Sequence, residues 1–268
     1  MIIAVDTGGT KTLIARFSDR GVIEKSHKFP TPKDPAVYLK TLFGAIREVA
    51  EDKEISTISL ASPGLIENGV VVWYDNLGWK NFNILAALKT EFPGHNVLVE
   101  NDANLGGLGE ARALTSSKRC MYVTVSTGIG VGVITDGKIH AGLPLSESGH
   151  MKLEFDGSLH EWEDIASGST IYKLYGKYAR DITSKRTWKE IAKRISRGFL
   201  ALIPGIQPEV VIIGGSIGTY FEQFGEQLEL LVREQLPKNT PCPRFIKAQH
   251  PEEAVIYGCY YHALDNAT

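Results

Sequence analysis

The residue best placed to move a proton is Asp102. The run Val97-Leu98-Val99-Glu100-Asn101-Asp102 reads as a strand that ends in polar groups, with a glycine-containing helical pattern over residues 103–114 directly behind it. In open α/β sheets, ligands sit at this carboxyl edge of the strands. A carboxylate there can take the proton of an attacking hydroxyl during phosphoryl transfer, provided the hydroxyl is aligned with the phosphorus. Aspartate in front of a helix is also an excellent N-cap. On local sequence alone the capping role is the stronger of the two.

Phosphate chemistry is suggested by two glycine turns. Asp6-Thr7-Gly8-Gly9-Thr10-Lys11 and Ser126-Thr127-Gly128-Ile129-Gly130 each follow a short apolar run, and a second strand follows each. Glycine allows positive φ and lets a ligand approach the amides closely, and consecutive amides form an anion-binding concavity. Thr10 and Thr127 add hydroxyl donors, and Gly214-Gly215 supplies a third such turn. A plain hairpin turn is the competing reading for each one taken singly. Neither pattern is a P-loop or a dinucleotide fingerprint, because both turns run into strands and the glycine spacing is wrong for either motif. A nucleotide would therefore be held between hairpins. Asp6 would repel a triphosphate unless a cation intervened. Its expected role is on the side of Mg²⁺, through water, with an Asx turn as the alternative.

The elements that must position these residues follow from periodicity and turn chemistry. Residues 2–5, 11–17 and 22–23 read as a β-meander, and Asp34-Pro35 starts a helix with Leu39, Leu42, Phe43, Ile46 and Val49 at helical spacing. Further strands are expected at 55–60 and 97–99, with a short helix at 84–92. The second half repeats the plan, with strands at 121–125, 131–135 and 138–140, a helix over 187–203, a buried strand at 210–213, another helix, a strand near 245–247 and a last helix from Pro251. Asp6-Thr7-Gly8 and Ser126-Thr127-Gly128 occupy the same place in two copies of strand–turn–strand–turn–strand. This points to duplicated lobes with a cleft between them.

Composition narrows the classes. The chain has 268 residues, 43% hydrophobic and 22% charged, with formal net charge −2. No basic surplus or basic run favours nucleic acid or a membrane surface as a partner. Ile2–Val5 is the whole apolar run before Asp6, so no secretory leader is expected, and no stretch approaches the ~20 apolar residues of a membrane helix. Three scattered cysteines, Cys120, Cys242 and Cys259, fit neither a disulfide framework nor a cysteine zinc site, and a cytoplasmic location is expected.

Together the motifs resemble the ROK family (repressors, open reading frames, kinases), across nearly the whole chain. Asp6-Thr7-Gly8-Gly9-Thr10-Lys11 is similar to its D-x-G-G-T-K turn, Ser62-Pro63-Gly64 to its G-x-P-G loop and Asn76-Leu77-Gly78-Trp79 to its N-L-x-x-W loop. Glu100-Asn101-Asp102-Ala103-Asn104 matches E-N-D-A-N, Ser126–Gly130 resembles G-T-G-x-G, and Glu147-Ser148-Gly149-His150 resembles E-x-G-H. Trp162-Glu163 with Ala166-Ser167-Gly168 resembles L-E-x-x-A-S-G. The resemblance implies an α/β, two-lobed fold of the actin/hexokinase (ribonuclease H-like) type. Its first lobe would comprise residues 1–115 with 251–268, and its second 116–250. It implies a sugar kinase using ATP and Mg²⁺, with Asp102 as base. Pro63, Gly64, Asn76, Asn101, Glu147, His150 and Glu163 would contact the sugar. Gly8, Gly9, Thr10, Lys11, Thr127, Gly128, Gly130, Gly214 and Gly215 would contact the nucleotide. A homodimer is the family's habit.

The sequence departs from the family in one interval. Many members carry a C-x-C-G-x-x-G-C zinc knot between E-x-G-H and L-E-x-x-A-S-G, and residues 151–162 contain no cysteine. No zinc is expected, because one imidazole with His160 nearby does not make a four-ligand structural site. Trp162 and Leu159 are expected to supply apolar packing in its place. With no helix-turn-helix pattern before Ile2, a member of the family's DNA-binding branch is not expected. The expected reaction is transfer of the γ-phosphate of Mg·ATP to a hexose hydroxyl, with the 6-OH of glucose first. An N-acetylhexosamine, fructose or a glycoside is the alternative acceptor, and a non-catalytic sugar sensor is the alternative of a different class.

Overall fold

Strand β1 (Ile2–Thr7), β2 (Lys11–Phe17) and β3 (Ile23–Pro30) form the expected meander, with both pairings antiparallel. Gly21, at φ 74, closes the second turn. β3 alternates exposed and less exposed residues, as an edge strand with one wet face should. Asp34 caps α1 (Pro35–Ala50) by accepting the amides of Ala36 and Val37, both at 2.9 Å, with proline at the first helical position. α1 buries Tyr38, Leu42, Ile46 and Val49.

The computed structural model describes residues 1–74, 76–114 and 118–267, so the lobe boundary expected between 115 and 116 lies outside the described residues. The chain divides into two units, Met1–Gly109 with Val255–Thr268, and Glu110–Ala254.

The first unit continues with β4 (Thr57–Ser62), β5 (Leu65–Glu67), β6 (Val70–Tyr74), β7 (Trp79–Phe82), α2 (Ile84–Glu91), β8 (Asn96–Asn101) and the start of α3 (Asp102–Arg112). Its main sheet has the order β3-β2-β1-β4-β8, with β4 parallel to both neighbours and buried at every residue. β5, β6 and β7 make a separate antiparallel sheet. Its first turn is Asn68-Gly69, at φ 51 and 75, the two left-handed residues of a type I′ hairpin.

In the second unit, β9 (Arg119–Val125), β10 (Ile129–Thr135) and β11 (Lys138–Ile139) repeat the meander. A hairpin of β12 (Lys152–Phe155) and β13 (Ser158–Glu161) leads into α4 (Trp162–Ala166), α5 (Gly168–Tyr175) and α6 (Lys185–Ile206). β14 (Val210–Gly214), α7 (Gly215–Gly218), α8 (Gly225–Gln235) and β15 (Arg244–Lys247) follow, and α9 (Ala254–Asp265) returns to the first unit. The main sheet has the order β11-β10-β9-β14-β15, with β14 parallel to both neighbours. The two sheets share one topology, three antiparallel strands followed by two parallel ones, so the repeat read from the turns recurs in the strand order. The fold is α/β of the actin/hexokinase type.

Boundaries shift for local reasons. α6 is capped by Ser184 and continues past Ile203, with Pro204 inside its last turn. α9 starts at Ala254 rather than Pro251, because residues 251–253 form a turn in which Glu253 and Ala254 donate to the His250 carbonyl. The first core gathers Ile3, Val5, Tyr38, Leu60 and Trp79, and the second Trp162, Trp188, Phe199 and Ile213. α9 lies on the first unit, with Tyr260 stacked on Phe17 at 4.7 Å between ring centroids and Gly258 directly under the Leu105 carbonyl.

Candidate active site

In the first unit, Asp102 is the first residue of α3, and the helix is capped mainly by its neighbour. Asn101 Oδ1 accepts the amides of Ala103 at 2.8 Å and Asn104 at 3.1 Å, while its Nδ2 donates to the Gly64 carbonyl at 3.0 Å. Asp102 Oδ1 also accepts the Ala103 amide, at 2.8 Å. Burial pushes the Asp102 carboxyl up to about 6, against the pull of the backbone amides of Ala103 and of Asp102 itself. Burial first, and then the charge of Asp102, push Asp6 up to about 7, with Lys28 opposing. Two carboxyls of one unit therefore share a field that resists double ionisation.

Glu100, which the sequence left without a role, holds this corner. Its Oε1 accepts the Asn101 amide at 2.8 Å and the Asn104 side-chain amide at 3.0 Å.

The turn after β1 is built for close approach rather than for positive φ, since neither Gly8 nor Gly9 is left-handed. A Cβ on Gly8 would stand 2.9 Å from the Lys11 carbonyl, and one on Gly9 would stand 2.6 Å from the Tyr74 hydroxyl. Thr31 braces the turn, with its hydroxyl donating to the Gly8 carbonyl at 2.8 Å and its amide donating to Thr10 at 3.0 Å. Thr10 and Lys11 are exposed. Asn76 is exposed and donates to the Tyr74 hydroxyl at 3.2 Å, which links this loop to the Gly9 turn. After Pro63, Gly64 does need its left-handed backbone, at φ 85.

In the second unit, the turn after β9 is clamped from α4 and α5. Gly168 donates its amide to Ser126 at 2.6 Å, the Ser169 hydroxyl donates to the Thr127 carbonyl at 2.6 Å, and Glu163 Oε2 accepts the Ile129 amide at 3.3 Å. Gly128 is small because a Cβ there would stand 2.6 Å from that same Glu163 oxygen. Neither Gly128 nor Gly130 has positive φ. Gly215 does, at φ 78, and its amide donates to the Pro251 carbonyl at 3.0 Å. A Cβ on Gly214 would meet the Tyr122 hydroxyl at 2.5 Å.

Glu147 is exposed, just before a short 3-10 turn that ends at His150, whose amide donates to the Glu147 carbonyl at 3.0 Å. His150 Nδ1 stands 2.8 Å from Glu161 Oε2 and 3.7 Å from Glu163 Oε1. Burial lowers the basicity of the ring, but the Glu161 hydrogen bond and the charges of Glu163, Glu161 and Glu147 outweigh it and hold His150 above its ordinary value. One atom from each of His150, Glu161 and Glu163 lies within 4.8 Å of the others, a set that could hold a divalent cation.

Glu161 was absent from the sequence candidates, and the signal for it was present. Asp156-Gly157, at φ 51 and 83, is a type I′ hairpin turn. Pairing outward from it sets Glu161 opposite Lys152, beside Met151 and His150. The same register corrects Leu159. It pairs with Glu154 and is 70% exposed, so it takes no part in the core. Trp162 is fully buried against Phe199, at 5.4 Å between centroids, and Phe155 takes the inward place that Leu159 does not.

The ROK family model matches residues 2–266. The chain belongs to the ROK family. An N-acetyl-D-glucosamine kinase of Vibrio cholerae is 26% identical over 97% of this chain and 99% of its own length. The structure of a ROK family glucokinase from Streptomyces griseus, in complex with glucose and AMPPNP, superposes with TM-score 0.84 at 21% identity, covering 99% of each chain. The ROK hexokinase from Thermus thermophilus superposes with TM-score 0.80 at 26% identity, again over 99% of each. In this ROK chain Asp6, Asp102, Glu147, His150 and the glycine turns all occur in the fold shared with these kinases.

Proposed function

We propose that this ROK-family sugar kinase transfers the γ-phosphoryl group of ATP to a hexose hydroxyl, the 6-OH of glucose first, with Asp102 as the base. The observation that carries this reading is the state of Asp102. Asn101 takes most of the capping of α3, and burial lifts the Asp102 carboxyl to about 6. A carboxyl with that value is largely ionised at neutral pH and still basic enough to accept a proton.

The acceptor hydroxyl would donate its proton to Asp102 as its oxygen bonds to the γ-phosphorus and the bond to the β-phosphate oxygen breaks. Glu147, His150, Glu163 and Asn76 would meet the remaining sugar hydroxyls, with Asn101, Pro63 and Gly64 shaping the loop beside the base. The turns at Gly8-Gly9-Thr10-Lys11 and Thr127-Gly128-Gly130, with Gly214-Gly215, would meet the nucleotide. Asp6 would face the Mg²⁺, through water: its carboxyl is raised to about 7 by burial and by the charge of Asp102, and a nearby cation would offset that rise by favouring the ionised form. When bound, Mg²⁺ would neutralise charge on the transferring phosphates. No zinc is part of this reading.

The Vibrio relative, with its N-acetylated substrate, supports a second acceptor class, and fructose and glycosides stay on the panel. Among the described residues no helix is long and apolar enough to cross a membrane, and a cytoplasmic protein is proposed. The test is a coupled ADP assay with glucose, N-acetylglucosamine, fructose and a methyl glucoside. A single acceptor dominating, with Asp102→Asn inactive on it, is expected. ADP release unaffected by any sugar would instead favour a non-catalytic sensor.

A further inference from the structure

We propose that Glu161 is a positioning residue for the sugar site, resting on the kinase reading above. It would fix the tautomer of His150, so that Nε2 is left as the acceptor for a sugar hydroxyl.

An ionised carboxylate only accepts hydrogen bonds. The 2.8 Å approach of His150 Nδ1 to Glu161 Oε2 therefore places a hydrogen on Nδ1. In the neutral ring that leaves Nε2 as an acceptor, the atom left to receive a sugar hydroxyl. Among the described residues, the other carboxylate beside Nδ1 is Glu163, whose Oε1 is 3.7 Å away. Glu163 already accepts the Ile129 amide and stands against Gly128. Committed there, and beyond hydrogen-bond reach of Nδ1, it does not replace Glu161 as the acceptor. The Nδ1 hydrogen is therefore held by Glu161, and without that carboxylate the ring can take the Nε2–H form.

The backbone makes the arrangement specific. Glu161 is the last residue of β13, in register with Lys152, and the next amide, that of Trp162, donates to the Met151 carbonyl at 3.0 Å. His150 and Glu161 are thus held at the open end of one hairpin, and the buried Trp162 ring anchors the strand that carries Glu161.

The test compares Glu161→Ala, Glu161→Gln and the parent protein. The alanine variant should raise the KM for the sugar by about tenfold, the size expected for one hydrogen bond to a charged partner. Its KM for ATP and its kcat should stay within twofold. Glutamine keeps an acceptor oxygen and should restore most of the loss. A ¹⁵N spectrum of the imidazoles, with His150 assigned from His150→Gln, should show the Nδ1–H tautomer in the parent protein at pH 8.5 and a shift toward Nε2–H in Glu161→Ala. An Nε2–H parent ring, an unchanged sugar KM in the alanine variant, or no rescue by glutamine would each overturn the proposal. If the parent protein phosphorylates no sugar, the kinase reading fails by itself. The positioning role is then decided by the tautomer and by calorimetric affinity for glucose, which Glu161→Ala must weaken.

Discussion

Asn101 and Asp102 reach for the same amide, that of Ala103, each at 2.8 Å, and Asn101 alone also takes the amide of Asn104. The capping role that local sequence assigns to Asp102 is therefore largely filled by the residue before it. Replacing Asn101 with Ala should leave α3 with Asp102 as its sole side-chain cap. A loss of roughly 1 kcal/mol in urea unfolding is expected, typical of a missing cap. Turnover should fall more than stability implies, because an oxygen committed to the helix is a poorer proton acceptor. Full kcat in Asn101→Ala would show that Asp102 needs no such relief.

The raised carboxyls set the pH dependence. A base that titrates near 6 must be ionised to act, so kcat/KM should climb as pH rises through about 6 and be lost below it. Stability should run the other way. Asp6 and Asp102 hold protons more tightly folded than unfolded, so the stabilisation present at low pH is lost as pH rises from about 4 toward 7. Melting temperatures measured in chelator across that range should decline, and Asp6→Asn should flatten the decline. Added Mg²⁺ should raise the melting point at pH 7.5 in the parent protein more than in Asp6→Asn.

The glycines separate into two kinds by experiment. Gly128→Ala would press on the Glu163 carboxylate, the far end of a flexible side chain, so stability should change by less than about 0.5 kcal/mol while sugar KM rises. Gly215→Ala meets the Val125 carbonyl at 2.6 Å from a left-handed backbone and should cost about 1–3 kcal/mol. Equal losses in thermal unfolding would remove the distinction.

Leu159 and Trp162, two apolar residues of the 151–162 interval, should respond differently. Leu159→Ser, on an exposed strand face, is expected to be neutral within about 0.5 kcal/mol. Trp162→Ala empties a site packed against Phe199 and Gly198 and should cost about 3–5 kcal/mol. Chemical denaturation of both variants checks this.

What the sequence disclosed and what it withheld divide along physical lines. Asp34-Pro35 announced α1 because a cap and a proline act within a few residues. The meanders were legible for the same reason, since short turns fix their neighbours. Asp102 was legible as a candidate, but Asn101 as its competitor was not, because two side chains sharing one amide leave no periodic trace. The small-residue requirement at Gly9 and Gly128 comes from Tyr74 and Glu163, distant in sequence, so local reasoning credited it to backbone freedom that those glycines do not use. Leu159 and Glu161 were misjudged and missed together, through one hairpin register that the Asp156-Gly157 pair would have supplied.

The return of α9 to the first unit has a consequence for how the chain is made. The second unit is one uninterrupted stretch, Glu110–Ala254, and can close its core as soon as it leaves the ribosome. The first unit is begun earlier and finished later. Phe17 waits for Tyr260, and the Leu105 carbonyl for Gly258, until all of the second unit has been translated. During that interval the surface of the first unit that α9 will cover is open to solvent and to chaperones, although most of its chain was synthesised first.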